Sequence, residues 1–171
     1  GEVDMLEETY LKIISSKTAE LFAASTKVGA ILSDMKTKEK EALEFYGKNL
    51  GLTFQIADDT LDYNSELKLF GKKIGQDFYE GKITLPIILL FQKANNQEKE
   101  KLKNIFLKEN RNENDLDYSL SLIKKYNVIE LCYKKAEHYI NLASNALTLF
   151  NDSEEKRILE NLTSFSLTRN F

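Results

Sequence analysis

Gly51-Leu52-Thr53-Phe54-Gln55-Ile56-Ala57-Asp58-Asp59-Thr60-Leu61-Asp62 is the stretch on which the reading of the chain turns. It places three carboxylates together at the expected end of a helix. Asp58 and Asp62 lie one turn apart on one face, where like charges repel by about 0.2–0.5 kcal/mol per pair. A helix end near Asn64 makes the position worse, because its partial charge is also negative. A bound divalent cation reverses both penalties, and an acidic, solvated helix end is the competing reading. Steps of three and four back along the same face reach Gln55, Gly51 and Gly47, so an amide and two glycines line the approach to the carboxylates. Glycine inside a helix costs about 1 kcal/mol against alanine. Two on one face therefore imply close approach by another helix or by a ligand.

Working outward, the acidic stretch is followed by Gly71-Lys72-Lys73-Ile74-Gly75-Gln76-Asp77 and Gly81-Lys82-Ile83-Thr84-Leu85-Pro86. Gly47, Gly51, Gly71, Gly75 and Gly81 are five of the seven glycines, so backbone freedom is concentrated where the charges are. Lysines on a loop beside carboxylates suit a phosphate bridged to protein by Mg2+, which takes one or two carboxylates and completes its shell with phosphate and water. A G-x-x-x-x-G-K-[ST] phosphate loop does not fit, since Gln76 and Ile83 occupy its first and last positions. A calcium-binding EF-hand loop lacks its acidic alternation here.

The rest of the 171 residues bounds the answer. The length suits a single domain over 1–171 with a real core. A net charge of −3 gives no overall basic field, so nucleic acid is not an expected partner. No stretch is apolar for the ~18 residues of a membrane span. The first residues show no basic region followed by an apolar core, so no signal peptide is expected, and the N-terminal glycine suggests that the natural start is not shown. A lone cysteine, Cys132, fits a reducing compartment and a core position, and a cytoplasmic location is the default expectation. One proline and no tryptophan, amid abundant Leu, Lys, Glu and Ala, point to an all-α chain.

Tyr10 to Leu32 reads as one helix with Tyr10, Ile14, Lys17, Leu21, Ala24 and Val28 on its apolar stripe. Lys17 interrupts that stripe and either snorkels to solvent or reaches an anion inside the fold. Thr18 gains interest only from standing beside it. A second helix, from Thr37 to about Asn64, draws its core from Ala42, Phe45, Tyr46, Leu50, Leu52, Phe54 and Ile56. The long connection from Ser65 to Ile83 is expected to be functional. Thr84 reads as a helix cap with Pro86 in the first turn. Leu85 to Phe91 is apolar all round, as a central helix of a bundle is, and would expose apolar surface without its partners. Helices near Gln97–Leu107, Asp115–Tyr126, Val128–Phe150 and Ser153–Leu167 read as scaffold. His138 has no ligand spacing and reads as a surface residue. Lys124-Lys125 and Lys134-Lys135 read as solvated faces.

Together these motifs, with Lys17-Thr18-Ala19 and Leu21-Phe22 ahead of them, resemble the trans-isoprenyl (polyprenyl) diphosphate synthases, with the bacterial octaprenyl and related long-chain synthases most similar. Gly1-Glu2 and Arg169 extend the resemblance along the chain. It implies a helical bundle of the isoprenoid synthase type, of which this sequence covers the C-terminal part only. That family holds its allylic diphosphate through Mg2+ on two aspartate-rich motifs, and only the second occurs here. The stretch Val3 to Thr9 is also shorter than the family's connector.

Carried over by motif, Asp58, Asp59 and Asp62 resemble the metal-binding carboxylates. Lys17, Lys72 and Lys82 resemble the lysines that contact the allylic diphosphate, with Lys73 a weaker candidate than Lys72. Thr18 and Gln55 resemble the polar residues that face the reacting allyl group, and with Lys17 they form the catalytic set. The resemblance implies allylic diphosphate and isopentenyl diphosphate as substrates. It also implies either a homo-oligomer or association with a complementary synthase half, and a non-catalytic partner subunit or inactive remnant is the alternative. Product chain length is not readable, because the family sets it near the first aspartate motif.

Overall fold

The computed structural model describes residues 7–64 and 74–168, with side chains to residue 166. Its first helical stretch runs unbroken from Glu7 to Leu32 but changes pitch on the way. Helix α1 (Glu7–Ile14) passes into a π-helical turn at Ser15–Ala19, and α2 (Glu20–Leu32) continues from it. Such a turn bonds i to i+5, so it inserts one residue and rotates the buried face by one position. Tyr10 and Ile14 are buried before the turn, and Ala19, Ala23 and Ala30 after it. The expected stripe is therefore corrected beyond Ile14: Leu21 is 71% and Val28 51% exposed, and Lys17 and Ala24 also face solvent.

Helix α3 (Thr37–Leu61) ends at Leu61 rather than near Asn64. Its two glycines meet α2 directly. A Cβ on Gly47 would collide with the Thr26 hydroxyl and lie 2.5 Å from the Phe22 carbonyl oxygen; one on Gly51 would lie 2.7 Å from the Ala19 Cα. Both glycines thus serve helix-to-helix contact, the first of the two alternatives their spacing offered. The Thr26 hydroxyl donates to the Leu43 carbonyl at 2.6 Å across the same seam. Phe45, expected in the core, is 48% exposed.

The later helices are α4 (Gln76–Glu80), α5 (Leu85–Lys93), α6 (Asn96–Phe106), α7 (Glu113–Lys125), α8 (Val128–Ala146) and α9 (Glu154–Thr168), with a 3-10 turn at Leu147–Leu149. The described chain is all-α. Asn95 with Glu98, and Asn112 with Asp115, form reciprocal caps that start α6 and α7. Thr84 stands at the N-cap of α5 in extended conformation, but its side chain accepts no capping bond; Pro86 supplies the first-turn constraint instead.

Contacts divide the chain into two compact units. One comprises Gly1–Tyr10 with Asp58–Tyr133, the other Leu11–Ala57 with Lys134–Phe171. In the first, α5 buries Leu85 to Leu90 completely, and Phe78 and Phe91 set their rings edge-on to Phe106. The expectation that Leu85 to Phe91 would expose apolar surface is corrected: its partners are present within this unit. In the second, Ala30, Leu43, Tyr46, Leu50, Ile140, Ala143 and Leu147 form the core, and the Tyr46 hydroxyl donates to the Leu159 carbonyl at 2.9 Å. Apolar surface appears instead in this second unit, on α2 (Leu21, Val28, Ile31, Leu32) and α9 (Ile158, Leu162, Phe165). Cys132 is fully buried and His138 is exposed, as their sequence context implied. No described helix is long and apolar enough to cross a membrane.

Gly51→Ala decides between two opposed effects. Helix propensity favours alanine by about 1 kcal/mol, but the new methyl meets the backbone of Ala19 in the π turn, which cannot turn aside as a side chain could, and overpacking of this kind costs about 1–3 kcal/mol. The variant is expected to unfold at lower urea concentration than the wild type. An equal or higher midpoint would show that the helices separate without cost.

Candidate functional site

Asp62 lies one residue beyond the end of α3 and accepts three consecutive backbone N–H groups from the far side of the loop. Its carbonyl oxygen takes Gly75 N–H at 2.8 Å, its Oδ1 takes Gln76 N–H at 3.0 Å and its Oδ2 takes Asp77 N–H at 2.8 Å. A short helix begins there because those groups have no intrahelical partner. Gly75 precedes it at φ 84°, where a side chain would also press on Leu116; Gly81 ends it at φ 74°, with the Arg111 guanidinium 2.8 Å from where a Cβ would stand. Both positions need glycine. Arg111 is fixed in turn by donating to the Phe106 carbonyl at 2.6 Å.

This turn delivers Lys82. Its ammonium reaches Asp77 Oδ1 at 2.9 Å and Glu80 Oε2 at 2.6 Å, and these bonds hold its pKa above the ordinary lysine value. The side chain is half-exposed, so the pairs are of the surface kind, worth about 0–1 kcal/mol, and an incoming anion can replace them. Asp62, Asp77 and Lys82 form one connected chain. Asp77 was overlooked as a site residue, although its place two residues after Gly75 in a quoted motif was the available signal.

The other two carboxylates of the motif differ. Asp58 is exposed. Asp59 is buried, and its Oδ2 accepts the Tyr10 hydroxyl at 2.7 Å. Burial, reinforced by the charge of Asp59, raises the Tyr10 pKa far above tyrosine's usual value, so the phenol is a donor at all working pH. Tyr10 read only as core from its helical spacing. Burial also raises the Asp62 pKa, with the charge of Asp77 adding to it, while the N–H groups of Asp77 and Gln76 oppose the rise. Among the described residues no three acidic, histidine or cysteine groups converge into a preformed cage. The donor atoms of the motif are nonetheless all hard oxygens, the kind that suits a divalent cation such as Mg2+, which completes its shell with water and phosphate.

In the second unit, the π turn carries Lys17 and Thr18. Lys17 faces solvent, while the Thr18 hydroxyl donates to Gln55 Oε1 at 2.7 Å. Thr18 and Gln55 are thus brought together. π turns often mark functional positions because they re-aim side chains. Gly71, Lys72 and Lys73 lie outside the described residues, as do Gly1-Glu2 and Arg169.

The polyprenyl synthetase family model matches residues 1–123. The short chain isoprenyl diphosphate synthase of Methanothermobacter thermautotrophicus is 34% identical over 98% of this chain and 51% of its own length; the octaprenyl diphosphate synthase of Haemophilus influenzae is 30% identical over 96% and 50%. A polyprenyl synthase from Caulobacter crescentus, solved with calcium and isoprenyl diphosphate, superposes with a TM-score of 0.91 at 35% identity, covering 99% of this chain and 52% of that one. The chain therefore spans about half the length of the relatives it matches.

A raised carboxyl pKa sets the sign of a pH effect. In the metal-free chain the stability associated with Asp62 is fully present below its unfolded pKa, about 3.9, and is lost as pH rises through the higher folded value. Protons and metal compete for the same carboxylate, so Mg2+ is expected to raise the melting temperature more at pH 7 than at pH 4. Thermal melts with and without Mg2+ at both pH values measure this. Equal increments would contradict the account of Asp62.

Proposed function

Because the chain belongs to the polyprenyl synthetase family, we propose that it supplies the C-terminal part of a polyprenyl diphosphate synthase, which binds an allylic diphosphate for condensation with isopentenyl diphosphate. The observation that carries this reading is the Asp62–Asp77–Lys82 chain, which joins the acidic motif to a lysine twenty residues later in sequence through charged and backbone bonds. Carboxylates for a metal and a cation for phosphate at one place are what a metal-bridged diphosphate requires.

Asp58, Asp59 and Asp62 are the residues that would hold Mg2+, which when bound would neutralise charge on the departing diphosphate. Lys82 would add positive charge for diphosphate oxygens, and the family resemblance assigns Lys17 and Lys72 as further substrate-binding lysines. The allylic C–O bond breaks with its electron pair leaving on diphosphate. The isopentenyl double bond then attacks the allylic carbon, and a proton is lost to restore neutrality. Thr18 and Gln55 present polar atoms toward the allyl group, and apolar helix walls exclude water from the cation.

The 171 residues contain a single D-D-x-x-D. A diphosphate held from one side leaves part of its charge and its orientation to solvent, which plausibly costs several powers of ten in rate at about 1.4 kcal/mol each. Association with a complementary synthase half, or with another copy of the chain, is supported by the exposed apolar residues of α2 and α9. The single D-D-x-x-D keeps a second reading open, in which the chain is a non-catalytic partner subunit or an inactive remnant of such a synthase.

Incorporation of labelled isopentenyl diphosphate separates the two readings. The chain alone is expected to be inactive, and co-expression with the upstream half of a related synthase to restore turnover. Vigorous turnover by the isolated chain would refute the need for two sides, and an inactive pair would favour the partner-subunit reading.

A further inference from the structure

Lys82 follows Gly81, and at that glycine another part of the first unit presses on the turn. A Cβ there would lie 2.8 Å from Nη2 and 2.9 Å from Nη1 of Arg111, so the glycine leaves a cradle that the guanidinium fills. Arg111 stands in Glu109-Asn110-Arg111-Asn112, a polar connection between α6 and α7. Its backbone is fixed from the next residue onward: Asn112 caps α7 reciprocally with Asp115, and Lys108 donates to Asp115 Oδ1 at 2.6 Å. From that base the side chain reaches back to two helix ends. Nη2 donates to the Phe106 carbonyl of α6 at 2.6 Å and Nη1 to the Tyr79 carbonyl of α4 at 3.4 Å, both in last turns, where carbonyls lack intrahelical partners. The guanidinium also stands 5.3 Å from the centre of the Phe106 ring, which meets Phe78 of α4 edge-on. Its Nε is buried and makes no bond among the described residues, a cost that packing by itself does not account for.

We propose that Arg111 is a positioning residue for Lys82: by clamping the Tyr79–Gly81 end of α4 to the end of α6, it sets where the ammonium stands to meet a diphosphate. This rests on the reading of Lys82 as a diphosphate-binding lysine. The turn's own closure consists of Gly81 N–H donating to the Phe78 carbonyl at 3.0 Å and Lys82 N–H to the Asp77 carbonyl at 2.9 Å. A helix as short as α4 is marginal without outside contacts. Asp62 anchors its start, and Arg111 anchors its end. Arginine suits the task because a planar fork reaches carbonyls on two helices at once, whereas a lysine ammonium is a point charge on a flexible stem. Both Nη groups are engaged with those carbonyls, so Arg111 acts on the anion through the placement of Lys82.

Two readouts on the full chain test this. Amide exchange at Gly81 and Lys82 reads the clamp without any ligand: Arg111→Gln and Arg111→Lys are each expected to lose protection there, with Leu85 to Leu90 unchanged. Calorimetric titration of inorganic diphosphate in the presence of Mg2+ reads the consequence, in a double-mutant cycle with Lys82→Ala. Lys82→Ala is expected to weaken diphosphate binding about 10–100-fold, as for the loss of one hydrogen bond to a charged group. Arg111→Gln is expected to weaken it by part of that factor when Lys82 is present and not at all once Lys82 is alanine. A weakening of equal size in both backgrounds would mark a general structural role or a direct contact and would overturn the proposal. So would unchanged exchange or unchanged affinity in Arg111→Gln, or exchange loss that spreads to Leu85–Leu90 in both Arg111 variants. Wild-type affinity in Arg111→Lys would overturn it too, because charge and not the fork would then be what matters. No diphosphate binding by the wild type, or binding that Lys82→Ala leaves unchanged, would refute the reading of Lys82 and the inference with it.

Discussion

Three backbone N–H groups converging on Asp62 hold the acidic end of α3 to the start of α4, and the rest of the site depends on that closure. Without it the Gly75 to Gly81 turn has no anchor at its first residue, and Lys82 has no fixed partner in Asp77. Hydrogen bonds to a charged acceptor are worth about 1.5–3 kcal/mol each, enough to offset the repulsion between neighbouring carboxylates at a helix end. The Asp62 carboxylate thus closes the loop through the Gln76 and Asp77 N–H groups. This bonding explains how like charges can be concentrated at the negative end of a helix: part of their charge is matched by backbone dipoles.

The fold was legible where periodicity is unbroken. Leu85 to Leu90, apolar on every side, became the buried helix of the first unit, and the capped starts at Asn95 and Asn112 fall where the charged clusters gave way to helical spacing. Legibility failed at the π turn. One inserted residue moved the buried face from Ile14 to Ala19, and a count at 3.6 residues per turn carried Leu21 and Val28 inward when they face out. The two α3 glycines announced a close approach, but only the structure shows that the approach is by the backbone of Ala19 and Phe22.

The site was legible as residue types in order and not as bonds. Thr18 and Gln55, separated by 37 residues, do meet. Asp59 was readable as an acid, yet nothing in local spacing links it to Tyr10, because that partner lies on another helix. Asp77 was quoted within a motif and given no role, since its importance comes from standing between Asp62 and Lys82 in space. The chain belongs to the polyprenyl synthetase family and spans about half the length of the relatives it matches.

Amide hydrogen exchange at Gln76 and Asp77, whose N–H groups bond the Asp62 carboxylate, compared between wild type and Asp62→Ala, tests the closure most directly. The account predicts protected amides at these two positions in the wild type and a selective loss of protection in the variant, with Leu85 to Leu90 unchanged because that helix is buried by its own partners. Equal exchange at the two amides in both proteins would contradict it, because the Asp62 side chain would then not be what joins the acidic and basic segments.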